Sequence, residues 1–249
     1  MKKVLALVLL AVVIASGIAF IYIKNQRTHD AAADYGTILA VLINDSPGLL
    51  QDPKKIEGIK TQKEETDKLF DAKSYKKASD GYKKGIESVL GFLETDASSF
   101  LDELNSYGTD TKNLGQLGKE AKQLSDKNDY LGSFEKYKEL VSNYKKIKAE
   151  LNKQALTAKP ALENQVASEK TLIQYKLNKD YKVNDILILG DGKWAVVKVV
   201  PLTIATDEAK VALKKSGSDW VLQAGPGTYF LQEDFPELPS YVIEKLNAF

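Results

Sequence analysis

The sequence contains no cysteine and only one histidine, His29, and Arg27 is its sole arginine. The missing cysteines exclude disulfides, thiolate zinc sites and cysteine nucleophiles, and one histidine is too few for a multi-histidine metal site. A Ser–His–Asp triad would have to use His29, which lies just past an apolar amino-terminal run and is a poor candidate. Recognition of phosphates or carboxylates by bidentate contacts normally uses arginine, which is almost absent.

The chain also lacks an excess of charge of either sign. Its 249 residues include 35 Lys and Arg against 34 Asp and Glu, a net charge of +1. This balance argues against a nucleic-acid-binding protein that acts through bulk charge. The Asp, Glu, Lys, Tyr, Ser and Thr residues that remain for chemistry fall into no recognisable catalytic, phosphate-binding or calcium-binding motif. We therefore predict a protein that is not an enzyme, with no catalytic residues, metal site or cofactor.

One long hydrophobic run is present, at residues 4–23, and it contains no charged residue. As a helix this run would be ~30 Å long, which is the thickness of the hydrocarbon core of a bilayer. Basic residues lie close to both ends of the run, and Tyr22 stands where an interfacial aromatic residue would. We predict that residues 1–29 are a membrane anchor and linker. A cleaved signal peptide, with Ala15 and Gly17 before the cut, is the alternative.

The flanking charges orient such an anchor only weakly, and long domains translocate largely regardless of their charge. We predict a single-pass protein of the cell membrane with most of its chain outside the cytoplasm, where the absence of cysteine is permissive. The inward-facing orientation is the alternative. Ala11, Ala15 and Ala19 lie four residues apart and would let two anchors pack closely into a homo-oligomer, although alanine is common in membrane helices.

Residues 30–159 are predicted to form an α-helical domain, because apolar residues recur there at helical spacing. The dipeptide Tyr107-Gly108 is expected to end a helix. The predicted helices are Ala31–Ile43, Pro53–Phe70, Tyr75–Leu93, a short one from Ser98 or Ser99 to Leu104, and Asp129–Ala155.

Two segments of this region, residues 71–82 and 126–137, share the pattern D-x3-Y-x2-small-x3-Y. The pattern resembles part of a tetratricopeptide helical hairpin, in which a small residue lets one helix approach its partner. The resemblance implies an irregular bundle that contains two such hairpins, with a concave groove for a protein or peptide partner. The residues expected to contact that partner are Tyr75, Tyr82, Tyr130 and Tyr137. Alternatively, these tyrosines are core aromatics of helix–helix seams.

Residues 160–249 are predicted to form a small α+β domain. Two consecutive hairpins make an antiparallel sheet, and helices at Ala161–Tyr175 and Pro239–Asn247 are available to cover it. The predicted strands are Ile186–Leu189, Trp194–Val200, Lys210–Lys215 and Trp220–Gln223. The fold class of the whole chain is therefore α+β, with a transmembrane helix, a helical bundle and a small sheet.

A series of short motifs in this domain carries a second resemblance. They are Trp194-Ala195-x-Val197, Asp207 with Ala209, Val211-x-Leu213-Lys-Lys, Gly225-Pro-Gly-Thr228-x-Phe230 and Pro239-x-x-Val242-Ile243. Their order resembles a domain at the end of many uncharacterised exported or membrane-anchored bacterial proteins, similar in outline to the cone-shaped α+β folds of the nuclear-transport-factor and cystatin type. The resemblance implies export and a small α+β module, and it transfers no catalytic residues.

A tight turn predicted at residues 225–228 could line a small ligand pocket with Trp194, Trp220, Thr228 and Tyr229, although two tryptophans in a small sheet are commonly core residues. The predicted function is recognition of a protein, peptide or cell-envelope component by a membrane-anchored, extracytoplasmic binding or scaffold protein. One alternative is a small-molecule binder or enzyme that uses a cavity of the α+β domain. A second is a scaffold that faces the cytosol through its hairpins.

Overall fold

The computed structural model describes residues 2–167, 181–201 and 208–249, and for residues 2–18 it describes the helical backbone alone. The protein is an α+β protein with a four-stranded antiparallel sheet, which confirms the predicted fold class at that level. The described helices are α1 (Lys2–Asp45), α2 (Lys55–Asp71), α3 (Tyr75–Ser106), α4 (Lys112–Asp126), α5 (Tyr130–Ala167) and α6 (Ser240–Ala248). The strands are β1 (Tyr181–Leu189), β2 (Trp194–Pro201), β3 (Ala209–Ser216) and β4 (Asp219–Gly227).

The chain divides into two compact units. The first comprises Met1–Ala97 and Gly118–Lys138, and the second comprises Ser98–Leu117 and Glu139–Phe249. The predicted boundary near residue 160 falls at Pro160, which lies inside α5. A proline removes one backbone donor from a helix, yet α5 continues past it to Ala167. The prediction of a new helix from Ala161 is wrong, and its last part, residues 168–175, lies outside the described residues.

The helices of the middle region are present where they were predicted, but several are longer. The short helix predicted from Ser98 or Ser99 is wrong, because α3 runs without a break to Ser106. The reason is an apolar stripe that continues through that point at spacings of four, three and four residues. Its members are buried: Leu93, Ala97, Phe100 and Leu104.

In the part of the chain that the structure describes, no helix is both long enough and apolar enough to cross a membrane. Most side chains of the predicted anchor, residues 4–23, lie outside the described residues, as do those of Ala11 and Ala15. The anchor and its packing face therefore stay predictions. The side chains of residues 19–23 are described, and all are exposed.

Three of the described helices end in the same type of turn. Lys73, Gly108 and Asn128 follow α2, α3 and α4 and have left-handed backbones, with φ of 58°, 68° and 60°. In each turn the N–H of this residue donates to the carbonyl three residues back, and the next N–H donates to the carbonyl five back. This pair of hydrogen bonds defines the Schellman motif. The predicted helix end at Tyr107-Gly108 is confirmed.

The two copies of the sequence repeat form matching structures in the first unit. Each copy starts at the last residue of one helix, passes through a Schellman turn and continues into the next helix. The small residue of the pattern, Ala78 in one copy and Ser133 in the other, is fully buried in both. The helices of each hairpin contact one another: Tyr82 of α3 donates to Asp67 of α2, and Lys136 of α5 pairs with Glu120 of α4.

The sheet of the second unit is a simple meander, with strands in the order β1-β2-β3-β4. The predicted turns at 190–193 and 216–219 are confirmed. Alternate residues of each strand point to opposite faces. One face packs on Leu151, Leu162 and Val166 of α5, and the other packs on Val242, Ile243 and Leu246 of α6. Helices therefore cover both faces.

One predicted turn of the sheet is wrong. Residues 225–227 belong to β4 and do not form a tight turn after it. Gly225 has φ of 91°, and a Cβ there would collide with the carbonyl oxygen of Lys210 on the neighbouring strand. The register between β3 and β4 shifts at Ala212, as it does where a bulge lets two backbones approach. The glycine is required for this pairing and does not mark a chain reversal.

Candidate functional site

The structure does not bring the four predicted ligand-contacting residues into one pocket. Trp194 is buried on the sheet face that α6 covers, and Trp220 is buried on the opposite face, beneath α5. The two indoles are 5% and 6% exposed, so both serve mainly as core residues. Thr228 and Tyr229 follow β4 and are exposed to solvent.

A groove of about 470 Å³ lies beside Trp220 in the second unit. Helix α5 forms one wall of the groove, and the β1–β2 and β3–β4 turns form the other. These two turns lie side by side because, in an antiparallel meander, they fall at the same end of the strands. The residues that line it are Glu150, Lys153, Gln154, Thr157, Ala158, Ala161, Ile188, Asp191, Gly192, Lys215, Ser218 and Trp220. We take this groove as the candidate binding site.

The groove combines charges of both signs with one aromatic residue. Lys153 and Glu150 come from α5, and Asp191 and Lys215 come from the sheet. The Nζ of Lys215 lies 6.0 Å from the centre of the Trp220 ring, which is within reach of a cation–π interaction. Such a lining suits a ligand that carries both charges and an apolar group.

Gln154 supplies the one buried side-chain polar atom of this groove that lacks a hydrogen-bond partner among the described residues. Its Nε2 donates to Glu150 at 3.3 Å, but its buried Oε1 has no hydrogen-bond partner among those residues. A buried acceptor without a partner is uncommon and costly. This oxygen lies against Gly192, where an added Cβ would come within 2.9 Å of it.

A second polar cluster of the same unit surrounds Glu103 at the end of α3. Glu103 accepts from Lys148 at 2.6 Å, from Tyr107 at 3.3 Å and from the hydroxyl of Tyr144. Burial raises the pKa of Glu103, but the hydrogen bonds from Lys148 and Tyr144 outweigh it and hold that pKa below its usual range. Both carboxylate oxygens are already occupied, which favours a structural role for this cluster.

Lys245 of α6 is the one lysine among the described residues of this unit whose surroundings lower its pKa. Its Nζ lies 4.4 Å from the centre of the Tyr107 ring. Burial, and then the nearby charge of Lys148, lower the pKa of Lys245, while Glu103 opposes that change. Lowered lysine pKa values occur at active sites and also in structural networks. The cation–π contact with Tyr107 favours the structural network.

The tyrosines predicted to contact a partner lie in the first unit. Tyr82, Tyr130 and Tyr137 are buried, as the core interpretation expects, and only Tyr75 is partly exposed. Burial and the electrostatic effect of Glu94 and Asp126 raise the pKa of Tyr137 to about 12.

Sequence reasoning missed two features. His29 was assigned to a linker, but its ring lies 5.3 Å from that of Phe70 and 4.9 Å from that of Tyr75. Groove residues Lys153 and Gln154 were missed because they resemble a solvated helix face. The turn predicted at residues 190–193, with its two glycines, was the one feature of the sequence that could have indicated this wall of the groove.

Comparison with known proteins finds no match, whether among family models, curated proteins or solved structures. Within residues 2–167, 181–201 and 208–249, no group of three or more His, Asp or Glu side chains could hold a metal ion. The functional argument therefore depends on the geometry and sequence of this chain alone.

Proposed function

We propose that the protein is a membrane-anchored, non-enzymatic binding protein whose body lies outside the cytoplasm and recognises a protein, peptide or cell-envelope component. The observation that supports this most is helix α1, which runs unbroken over 44 residues. Such a helix is ~66 Å long, about twice the hydrocarbon thickness of a bilayer. One helix thus has the length both to cross a membrane at residues 4–23 and to enter the core of the first unit.

The two matching hairpins support the likeness to tetratricopeptide hairpins, since each buries its small residue at a helix contact. The meander with helices on both faces is compatible with the resemblance to α+β domains of exported or anchored bacterial proteins. Because the repeat tyrosines are mostly buried, the groove beside Trp220 is the better candidate for the recognition site.

Protease treatment of intact cells that produce the full chain with a carboxy-terminal tag tests this function. Loss of the tag in intact or outer-permeabilised cells is the expected result. Protection of the tag until the inner membrane is lysed would overturn the extracytoplasmic assignment and would favour the scaffold that faces the cytosol.

The mass of the mature protein completes this test. An uncleaved anchor leaves the full-length mass, whereas a signal peptide would remove roughly the first seventeen residues. The shorter mass would contradict membrane anchoring even if the tag is digested.

The groove also supports a second candidate, a small-molecule binder, because its lining combines charges of both signs with the ring of Trp220. A thermal-shift screen of the full chain with zwitterionic compounds tests this function. A ligand that raises Tm in the wild type should lose its effect in Lys153→Gln. It should keep its effect in the matched control Lys146→Gln, because Lys146 is exposed on α5 and does not line the groove. Equal shifts in both variants would contradict binding in the groove.

A further inference from the structure

Basic side chains from two distant parts of the sequence gather in the first unit, just beyond residue 23. We call them the basic patch. They line two adjoining depressions of about 410 and 390 Å³, in which residues 20–31 of α1 lie beside residues 73–79. The members of the basic patch are Lys24, Arg27, Lys73, Lys76 and Lys77.

An aromatic cluster holds the two parts of the basic patch together. The rings of His29, Phe70 and Tyr75 lie within 4.9–5.3 Å of one another, centre to centre. These contacts fasten the α2–α3 turn and the start of α3 to α1. His29 is six residues beyond Ile23, which is a rise of ~9 Å along the helix. The basic patch therefore lies within about one Debye length of the end of the apolar run.

The positive charges of the basic patch stay unpaired within the part of the chain that the structure describes. None of its members pairs with a carboxylate among the residues that the structure describes. Neighbouring lysines on α2 do form such pairs: Lys60 with Glu57 and Lys63 with Asp67. All five members of the basic patch are exposed.

The second copy of the hairpin shows that the fold does not require these lysines. At the positions of Lys73, Lys76 and Lys77 the second copy has Asn128, Leu131 and Gly132, an offset of 55 residues in each case. Both copies nevertheless make the same turn with the same backbone hydrogen bonds. The lysines of the first copy are therefore features of its surface.

Exposed apolar residues adjoin the basic patch. Phe20 and Ile23 line one of its depressions, and their side chains are 68% and 50% exposed. Apolar and aromatic residues directly followed by lysine and arginine are typical of the membrane–water interface. Juxtamembrane basic segments are attracted to anionic lipid headgroups.

We propose that the basic patch binds the anionic headgroups of the membrane lipids that surround residues 4–23. Headgroup binding holds the α2–α3 turn against the bilayer surface. The inference rests on the membrane anchor proposed above. It does not depend on which side the body occupies, because lipid headgroups line both surfaces of a bilayer.

The test uses the full chain in vesicles of phosphatidylcholine alone or mixed equally with phosphatidylglycerol. The chain has no cysteine, so Ala72→Cys at the exposed start of the turn provides a single thiol for a fluorophore. Quenching by lipids with nitroxide headgroups then reports how close the turn is to the surface. We expect stronger quenching in the mixed vesicles, and a return to the neutral level at about 1 M salt, where the Debye length is ~3 Å.

The triple variant K73N/K76Q/K77Q removes three charges and keeps the turn, since asparagine already occupies the same backbone position at Asn128. Each lysine near an anionic surface shifts the docking equilibrium about fivefold, so the variant should lose on the order of a hundredfold. The control K54Q/K60Q changes lysines at the other end of α2, which is ~25 Å long, and should be quenched like the wild type.

Equal quenching in both types of vesicle, or unchanged quenching of the triple variant, would overturn the proposal. Binding of soluble polyglutamate that the triple variant loses, with equal quenching in both vesicles, would assign the basic patch to an acidic protein and also overturn it. Flotation of the chain with the vesicles distinguishes a failure of the proposed membrane anchor from a failure of headgroup binding. A chain that floats with neither type of vesicle contradicts the anchor, and one that floats with both but is quenched equally contradicts this inference alone.

Discussion

The two helical hairpins of the first unit share a backbone and differ in the surface of their turns. Both have a left-handed residue after the first helix, a fully buried small residue and a buried tyrosine. The turn of the first hairpin presents Lys73, Lys76 and Lys77, whereas the second has an asparagine, a leucine and a glycine at these positions. The comparison separates what the hairpin needs for folding from what one copy carries on its surface.

The largest loss of stability is expected when the buried tyrosine of each hairpin is replaced by alanine. Tyr82→Ala and Tyr137→Ala should each lower the free energy of unfolding by about 3–5 kcal/mol, because a large aromatic side chain leaves a cavity. Urea unfolding followed by circular dichroism measures this. A cost below about 1 kcal/mol in one hairpin alone would show that the two copies are not equivalent in packing.

The buried small residue should tolerate no enlargement in either hairpin. Ala78→Leu and Ser133→Leu should each cost about 1–3 kcal/mol, because extra methylene groups overpack a helix contact. Ser133→Ala is the control. The hydroxyl of Ser133 is buried without a hydrogen-bond partner among the described residues, so its removal should be neutral or stabilising. A tolerated Leu at either position would mean that the helices of that hairpin are not in close contact.

The hydroxyls of Tyr82 and Tyr137 should contribute differently to the free energy of unfolding. Tyr82 donates to Asp67 at 2.6 Å, whereas Tyr137 has no such partner among the described residues. Tyr82→Phe should cost about 1 kcal/mol, and Tyr137→Phe close to nothing.

The difference between the costs of Tyr82→Phe and Tyr137→Phe should depend on pH. Burial opposes a low pKa for Asp67, but hydrogen bonds from Tyr82 and Lys63 lower it below its usual value. The stabilisation from a carboxylate with a lowered pKa is present above the unfolded-state value and is lost as the pH falls below it. The cost of Tyr82→Phe should therefore shrink below about pH 4. A cost that grows on acidification would contradict the hydrogen bond.

The smallest effect is expected at the turns. Lysine pays a steric cost of about 1–2 kcal/mol in the left-handed conformation, and asparagine pays less. Lys73→Gly should therefore raise stability by about 1 kcal/mol, and Asn128→Gly by a few tenths. Thermal melts of the two variants compare them directly, and the reverse order would contradict the equivalence of the turns.

The sequence was sufficient for the elements that local patterns specify. Helical spacing located α1 to α3 and α5, and Tyr107-Gly108 marked the end of α3, because glycine takes the left-handed conformation without cost. Lys73 adopts the same conformation with no such signal, since tertiary contacts override its preference. Pro160 suggested a break, yet apolar residues on both sides of it, Leu151 and Leu162, pack on the same sheet face and keep α5 continuous.

The candidate sites were harder to predict because they depend on register and on distant pairs. Alternation along β2 places Trp194 opposite to Val197, but the face of Trp220 depends on its cross-strand pairing with Lys215, which puts it on the same face as Leu213. The basic patch joins residues about fifty positions apart. Each of the two short segments is basic, but nothing in either one indicates that they lie side by side.

Amine reactivity of the native lysines tests most directly whether the first hairpin, and not the second, lies at a membrane. Lys73, Lys76, Lys77 and Lys127 are all exposed in the described structure. The unmodified full chain would be acetylated in detergent and in anionic vesicles, and each lysine would be quantified by mass spectrometry. We expect the three lysines of the first turn to lose reactivity in vesicles while Lys127 keeps it. Equal reactivity of all four lysines in both conditions would contradict a membrane-bound first hairpin.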